Sequence, residues 1–218
     1  MRPWYTPCIP RVKQQSVTAT VSARLARSAI LAAAAKAFTR RGIAATRVED
    51  ILVAAKVARR TFYRYFASKD DVLAALFEVW TGELIKAVED ARDRQPGAPL
   101  AGIRTGIELY LGFHRSGPRV LRELVELAMR SESLLAPRRR WLRGQVVRLL
   151  DQAVQDFDGR TLDPLIYYGL LGAFESLSLE LGESASTPAE VERTRTAIHA
   201  IIDHTLGLPR PTPVPHRP

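Results

Sequence analysis

The chain has 218 residues, 46% of them hydrophobic and 25% charged, with a net charge of +9. That length suffices to bury a sizeable core in one domain or two, and no stretch approaches the roughly 18 uncharged apolar residues that a membrane span needs, so no membrane association is expected. Cys8 is the single cysteine, which excludes a disulfide framework and a cysteine-based zinc finger, and His114, His199, His204 and His216 stand without ligand spacing, so neither a metal nor a cofactor is expected.

In chain order, the first twenty residues carry Arg2, Arg11 and Lys13 with Pro3, Pro7 and Pro10 and no apolar run. A secretory signal is therefore not expected, and a cytoplasmic location follows. Residues 1–21 read as a disordered basic leader. A first helix is expected over 22–41, because Ile30, Ala33, Ala34, Ala37 and Phe38 form one apolar stripe and Arg40-Arg41-Gly42 makes a basic last turn with a glycine stop. A second helix follows, with Thr46 and Glu49 read as a T-x-x-E capping box and Val48, Ile51, Leu52 and Ala55 as its buried face. Lys56-Val57-Ala58 then forms a turn before a short third helix over 59–66. Met1 to Lys69 hold 14 basic residues against 2 acidic ones, a net of +12 that leaves −3 for the rest of the chain.

The third helix carries two opposed faces. At 100° per residue, Phe62, Tyr65 and Phe66 cluster on one side, while Arg60 and Arg64 lie about 160° and about 200° from Phe62, flanked by Tyr63 and Thr61. An arginine can donate two hydrogen bonds to guanine O6 and N7, and tyrosine and threonine hydroxyls reach phosphates, so Arg60 and Arg64 are candidate base readers. The competing reading is a solvated basic face. Lys69 opposes the positive end of the next helix, which makes it a candidate phosphate clamp; the alternative is a solvent-exposed lysine.

Strand signals are almost absent, and helical spacing recurs to the end of the chain, so the fold class is all-α. Further helices are expected over 69–92, 100–115, 119–130, 137–157, 164–181 and 188–206, divided by proline- or glycine-bearing breaks, with a proline-rich tail over 209–218. Gly169, Gly172, Ala173 and Ser176 make a stripe of small residues that admits a close helix, from a second copy or from the chain itself. Trp80, Tyr110, Phe113, His114, Met129, Trp141 and Glu175 are candidates to line an effector pocket or to serve as ordinary core.

The run from Gly42 through Thr46, Ile51, Lys56, Thr61, Phe62, Tyr63, Phe66 and Lys69 to Leu73 resembles the DNA-binding domain of the tetracycline-repressor (TetR) family of transcription regulators, over about residues 22–75. The resemblance implies a helix-turn-helix domain over 22–68 and a helical ligand-binding and dimerisation domain over 69–208. It further implies a homodimer on a double-stranded DNA operator, a small-molecule effector of unknown identity, and no enzymatic activity. It places Thr46, Thr61, Tyr63, Tyr65 and Lys69 at positions that commonly touch phosphate, with Arg59 beside them on the same helix. Two positions depart from the family pattern: Lys56 stands where glycine is usual and Ala58 where serine caps the recognition helix. Two other functions compete, a non-specific DNA-binding or anchoring protein and a helical enzyme. The second lacks any G-x-x-x-x-G-K-[ST], H-E-x-x-H or G-x-S-x-G motif.

Overall fold

Nine helices and no strand make up the described part of the chain, as the helical periodicity and the scarcity of alternating β-branched runs require. The structure, a computed structural model, describes residues 12–95, 97–116, 119–183 and 187–208, with the side chains of 12–22, 113–116, 119 and 182–183 left undescribed. Helix α1 (Val12–Arg41) precedes α2 (Val48–Ala55), α3 (Arg59–Tyr65) and α4 (Lys69–Arg94); α5 (Ala101–Ser116), α6 (Arg119–Met129), α7 (Ala136–Asp158), α8 (Pro164–Glu183) and α9 (Pro188–Leu206) follow. From α4 onward the bounds agree with the sequence reading to within two residues, because Pro164 and Pro188 sit at first helical positions, where the missing N–H has no cost.

Helix α1 corrects the expected leader. It begins at Val12, ten residues before the expected start, so residues 12–21 are helical and not part of a disordered leader. The last proline is Pro10, and Val12 to Val21 contain neither proline nor glycine. Once the apolar stripe has nucleated the helix, each added residue gains a hydrogen bond at little further cost. The remainder of the leader, including Cys8, and the tail 209–218 lie outside the described residues.

Contacts divide the chain after Ala75 into two units. The first packs Ile30, Ala34, Ala37 and Phe38 of α1 with Ile51 of α2, Phe62 of α3, Phe66, and Val72 and Leu73 from the start of α4, all fully or nearly fully buried. Gly42 ends α1 at φ 79°, its N–H bonded to the Phe38 carbonyl at 2.7 Å. A side chain at that backbone angle would be strained, which is why the chain turns there.

The second unit packs α8 against α5, α7 and α9 around Ile107, Leu111, Leu150, Val154, Tyr167, Leu170, Ile198 and Leu206. Tyr167 is fully buried with its hydroxyl donating to Asp151 at 3.1 Å, and burial together with that carboxylate pushes the phenol up to about 12. Helix α9 starts with a reciprocal capping box. The Thr187 N–H donates to Glu190 at 2.6 Å, and the Glu190 N–H donates to the Thr187 hydroxyl at 3.3 Å. Along α5, a Cβ on Gly102 would lie 3.0 Å from the Val88 carbonyl oxygen, and one on Gly106 would lie 3.0 Å from a Val88 methyl. The two glycines are what allow α4 and α5 to approach this closely.

Candidate nucleic-acid interface and effector cavity

Helix α3 has seven residues, too few to be stable alone, and is held through its apolar face. Phe62 is fully buried, with its ring centroid 5.8 Å from that of Phe66, and the Arg27 guanidinium lies 5.3 Å over the Phe66 ring. Tyr65 is half-buried beside them, under the Arg64 guanidinium at 6.0 Å. Opposite, Arg60, Tyr63 and Arg64 are exposed and Thr61 is half-exposed, which is the arrangement expected from the helical wheel. The Phe62 ring meets Tyr63 edge-on at 5.3 Å and fixes the root of the exposed side chain.

Arg59 is also exposed, but its guanidinium donates to Glu49 at 2.5 Å, tying α3 to α2. The Glu49 carboxyl is held below its usual range by a backbone hydrogen bond and by Arg59. Asp50 likewise lies low, chiefly through the Arg47 N–H that donates to it at 2.9 Å and then through Arg41. Both acids of α2 are thus engaged by arginines or backbone donors, and neither opposes Arg60 and Arg64 by direct contact among the described residues.

Two sequence expectations are corrected here. The helix α2 box is shifted by one residue: Arg47 is the N-cap, and Asp50 rather than Glu49 accepts the reciprocal bond. Thr46 is 1% exposed and donates to the Gly42 carbonyl at 2.7 Å. Its hydroxyl closes the α1–α2 loop and does not face outward toward a phosphate. The half-exposed Lys69 reaches to the loop between α1 and α2, where its ammonium donates to the carbonyls of Ile43 and Thr46 at 2.9 and 3.0 Å. Those two acceptors supply the negative partial charge that the helix start denies it, and they leave one N–H of the ammonium over. Asp71 and Ser68 cap the same helix start, Asp71 accepting from the Ala67 N–H at 2.8 Å and Ser68 from the Asp71 N–H at 3.1 Å.

Both departures in the turn are visible in the backbone. Lys56 ends α2 at φ 53° and ψ 42°, in the left-handed region, and no other described non-glycine residue has a positive φ. Ala58 is the N-cap of α3, at φ −68° and ψ 151°, and its methyl offers no acceptor to the first free N–H groups.

In the second unit, α4, α5, α7 and α8 enclose an apolar chamber of about 130 Å³ lined by Leu84, Val88, Ile103, Ile107, Leu142 and Phe174, among others. A second chamber of about 110 Å³ is lined by Phe77, Trp80, Leu121, Leu124 and Ala128. Leu84, Tyr110, Leu142 and Glu175 border both. Of the pocket candidates, Tyr110 and Glu175 therefore sit between the chambers, and Trp80 lines the second. The Tyr110 ring packs 4.8 Å from Phe174, and burial, then the Glu175 charge, raises its phenol well above the usual value.

Trp141 is 60% exposed and lines neither chamber, and Met129 is half-buried but also absent from both linings. On α7, Trp141 points about 100° away from Leu142, which faces the cavity. The side chains of Phe113 and His114 lie outside the described residues. Besides the aliphatic lining, three charged lining groups escaped the sequence reading, Arg92, Arg139 and Arg143, and Arg92 donates to Asp93 at 3.1 Å. Arg139 donates to Glu175 at 2.5 Å with both side chains mostly buried, and Arg143 approaches the same carboxylate at 4.0 Å. An arginine pair at i and i+4 flanking the stripe Leu142, Val146, Leu149 and Ala153 was the available signal.

The small-residue stripe of α8 faces away from the core of its own unit. Gly169 and Ser176 are exposed, Gly172 and Ala173 half-exposed, and a Cβ on either glycine would meet nothing within 4 Å. Leu165, on the same side of the helix, is 74% exposed.

Residues 30–76 match the family described as bacterial regulatory proteins of the tetR family. Over 95 residues the chain is 33% identical to the HTH-type transcriptional regulator EthR of Mycolicibacterium smegmatis, a match spanning 44% of this chain and 44% of that one. The match therefore covers less than half the length of that curated relative. Among solved structures, a TetR-family transcriptional regulator from Pectobacterium atrosepticum superposes with a TM-score of 0.69 at 21% identity, covering 87% of this chain and 98% of the other. FadR of Thermus thermophilus, a TetR-family transcriptional repressor in complex with lauroyl-CoA, does so with a TM-score of 0.63 at 19% identity, covering 88% and 100%. FadR of Bacillus subtilis, in complex with stearoyl-CoA, gives 0.62 at 20% identity, covering 80% and 97%. These likenesses carry the fold.

Proposed function

We propose that this chain, which belongs to the tetR family of bacterial regulatory proteins by its residues 30–76, is a ligand-responsive transcription repressor that binds a (pseudo)palindromic operator as a homodimer and is released by a small molecule. The observation that carries the reading is the split of α3, with Phe62 and Phe66 buried while Arg60, Tyr63 and Arg64 stand exposed on the opposite face. Arg60 and Arg64 read bases in the major groove, and Thr61, Tyr63, Tyr65 and the exposed side of Arg59 position the helix on phosphates. A single helix of this size buries too little to specify a site, so two copies are required, with their recognition helices about 34–36 Å apart. The open stripe on α8 supports a second copy there. The paired chambers support a small-molecule effector, and α4 contributes Leu84, Ile85 and Val88 to the first of them. A ligand preferred by the non-binding conformation shifts the population away from the operator-bound one.

The test is a gel shift on DNA from upstream of the chain's own coding sequence, comparing the wild type with Arg60→Ala/Arg64→Ala. Each arginine–guanine pair contributes about 1–3 kcal/mol of discrimination, so the double variant should lose sequence-specific binding while retaining salt-sensitive binding to any duplex. Wild-type binding indistinguishable from that of the double variant would sink the assignment. Complete competition by unrelated DNA would favour a non-specific DNA-binding protein instead.

A further inference from the structure

The two apolar chambers of the second unit meet at a charged cluster whose signs do not balance. Glu175 is the carboxylate lining them, and it accepts from Arg139 at 2.5 Å. Arg143, at 4.0 Å, is a second cation on the same acid, so one positive charge is left over in a mostly buried position. Arg143 is held by the Tyr168 carbonyl, to which it donates at 3.1 Å, and lies 5.4 Å from the centroid of the Tyr168 ring. Its Nε, like that of Arg139, is buried and has no acceptor among the described residues. A buried guanidinium N–H without an acceptor carries a full desolvation cost. Around this cluster the first chamber presents Leu84, Ile85, Val88, Ile103, Ile107 and Val146.

We infer that the cavity takes a small amphipathic monoanion, an aliphatic or alicyclic carboxylate whose oxygens accept from Arg143 and whose hydrocarbon body fills the first chamber. The inference rests on the reading of this cavity as the effector site and names the ligand class. The Arg143 charge in excess of Glu175 selects an anion over a neutral or cationic head, because an ammonium would meet two guanidiniums and an alcohol would leave the excess charge unpaired. Size follows from the volumes. A dry apolar cavity of about 150 Å³ holds a benzene ring, so the first chamber admits about six heavy atoms, and the remaining carbons of a longer tail pass Leu84 and Leu142 into the second. Arg139 acts as a positioning residue by neutralising Glu175, which would otherwise repel the incoming carboxylate.

Calorimetric titration of the full chain with octanoate, 1-octanol and octylamine tests this, since the three share a body and differ in the head. Octanoate should bind about ten- to a hundredfold tighter than the alcohol, and the amine weakest. Arg143→Met should erase the preference for octanoate over octanol while leaving octanol binding within about threefold. Arg143→Lys should retain part of the preference, and Arg143→Gln, which keeps polarity without charge, replaces the methionine variant if that one fails to fold by far-ultraviolet circular dichroism. Equal binding of octanol and octanoate, no octanoate binding at millimolar concentration, or a preference that survives both neutral variants overturns the inference. Gel shifts on the same preparations separate the two readings: intact operator binding with no head-group preference refutes the ligand class alone, whereas absent operator binding refutes the regulator.

Discussion

Lys56→Gly should make the helix-turn-helix more stable than the natural sequence does. Lys56 closes α2 at φ 53° and ψ 42°, and a residue with a Cβ held there costs about 1–2 kcal/mol relative to one in a right-handed conformation. Glycine removes that cost but has more freedom to lose on folding, about 0.4–1 kcal/mol. The net expectation is a gain of about 0.5–1 kcal/mol, since the exposed lysine side chain makes no hydrogen bond or ion pair with the described residues that would be forfeited. Its backbone N–H, directed at the Leu52 and Val53 carbonyls, is unchanged by the substitution. Two of the chain's tryptophans, Trp80 and Trp141, lie in the second unit, so whole-chain fluorescence is a poor reporter of this turn. Native-state hydrogen exchange of peptides covering α2 and α3 reads it directly: slowly exchanging amides there should be protected about two- to fivefold more in Lys56→Gly. Ala58→Ser restores an acceptor at the N-cap of α3 and should add about 1 kcal/mol more, though the sites are two residues apart and need not add. Protection unchanged or lowered in Lys56→Gly would refute the strain argument.

Lys69→Met removes the ammonium that satisfies the Ile43 and Thr46 carbonyls and should destabilise the first unit by about 1.5–3 kcal/mol in urea titrations; a loss below about 0.5 kcal/mol would mean that water replaces it freely. Glu49, Asp50, Asp158 and Glu190 all ionise more readily in the folded chain than the ordinary values of 4.5 for Glu and 3.8 for Asp. Folded values below unfolded ones give stability that is fully present above the unfolded values and is lost as pH falls through the folded ones, so the melting temperature should be flat above about pH 5 and drop below pH 4. Thr187→Ala removes the hydroxyl but keeps the backbone N–H that chiefly holds Glu190 low, so it should reduce the Glu190 share of that drop without abolishing it. Gly172→Arg should convert the proposed dimer to monomer in light scattering without lowering the melting temperature of the second unit by packing strain, because its Cβ direction is open; a variant that stays dimeric would move the interface elsewhere.

Legibility differed from element to element for physical reasons. Phe62, Phe66, Arg60 and Arg64 sorted correctly because a 100° period and the contrast between aromatic and guanidinium side chains suffice to divide a helix into faces. Thr46 was misread because the sequence contains two overlapping capping patterns, Thr46 with Glu49 and Arg47 with Asp50. The choice between them depends on a tertiary fact, that the Thr46 hydroxyl has the Gly42 carbonyl to satisfy it. The carbonyl partners of Lys69 were equally hidden, since they are more than twenty residues earlier in the chain. In the second unit, aromatic size misled: Trp141 looked like pocket lining and is solvent-exposed, whereas Arg139 and Arg143, which the sequence did not single out, are mostly buried. A buried arginine is recognisable only with its acid, and Glu175 lies on another helix.

The opposite placement of Trp80 and Trp141 has an optical consequence. Trp80 borders the second chamber, so an apolar guest there must change the polarity around its indole and shift its emission to shorter wavelength. Trp141, 60% exposed and away from both chambers, stays accessible to an aqueous quencher such as iodide whether or not the cavity is filled. Iodide should suppress the exposed Trp141 more than the half-buried Trp80, so with Trp4 replaced by phenylalanine the pair supplies a fluorophore for occupancy of the second chamber and an internal reference against which to read it.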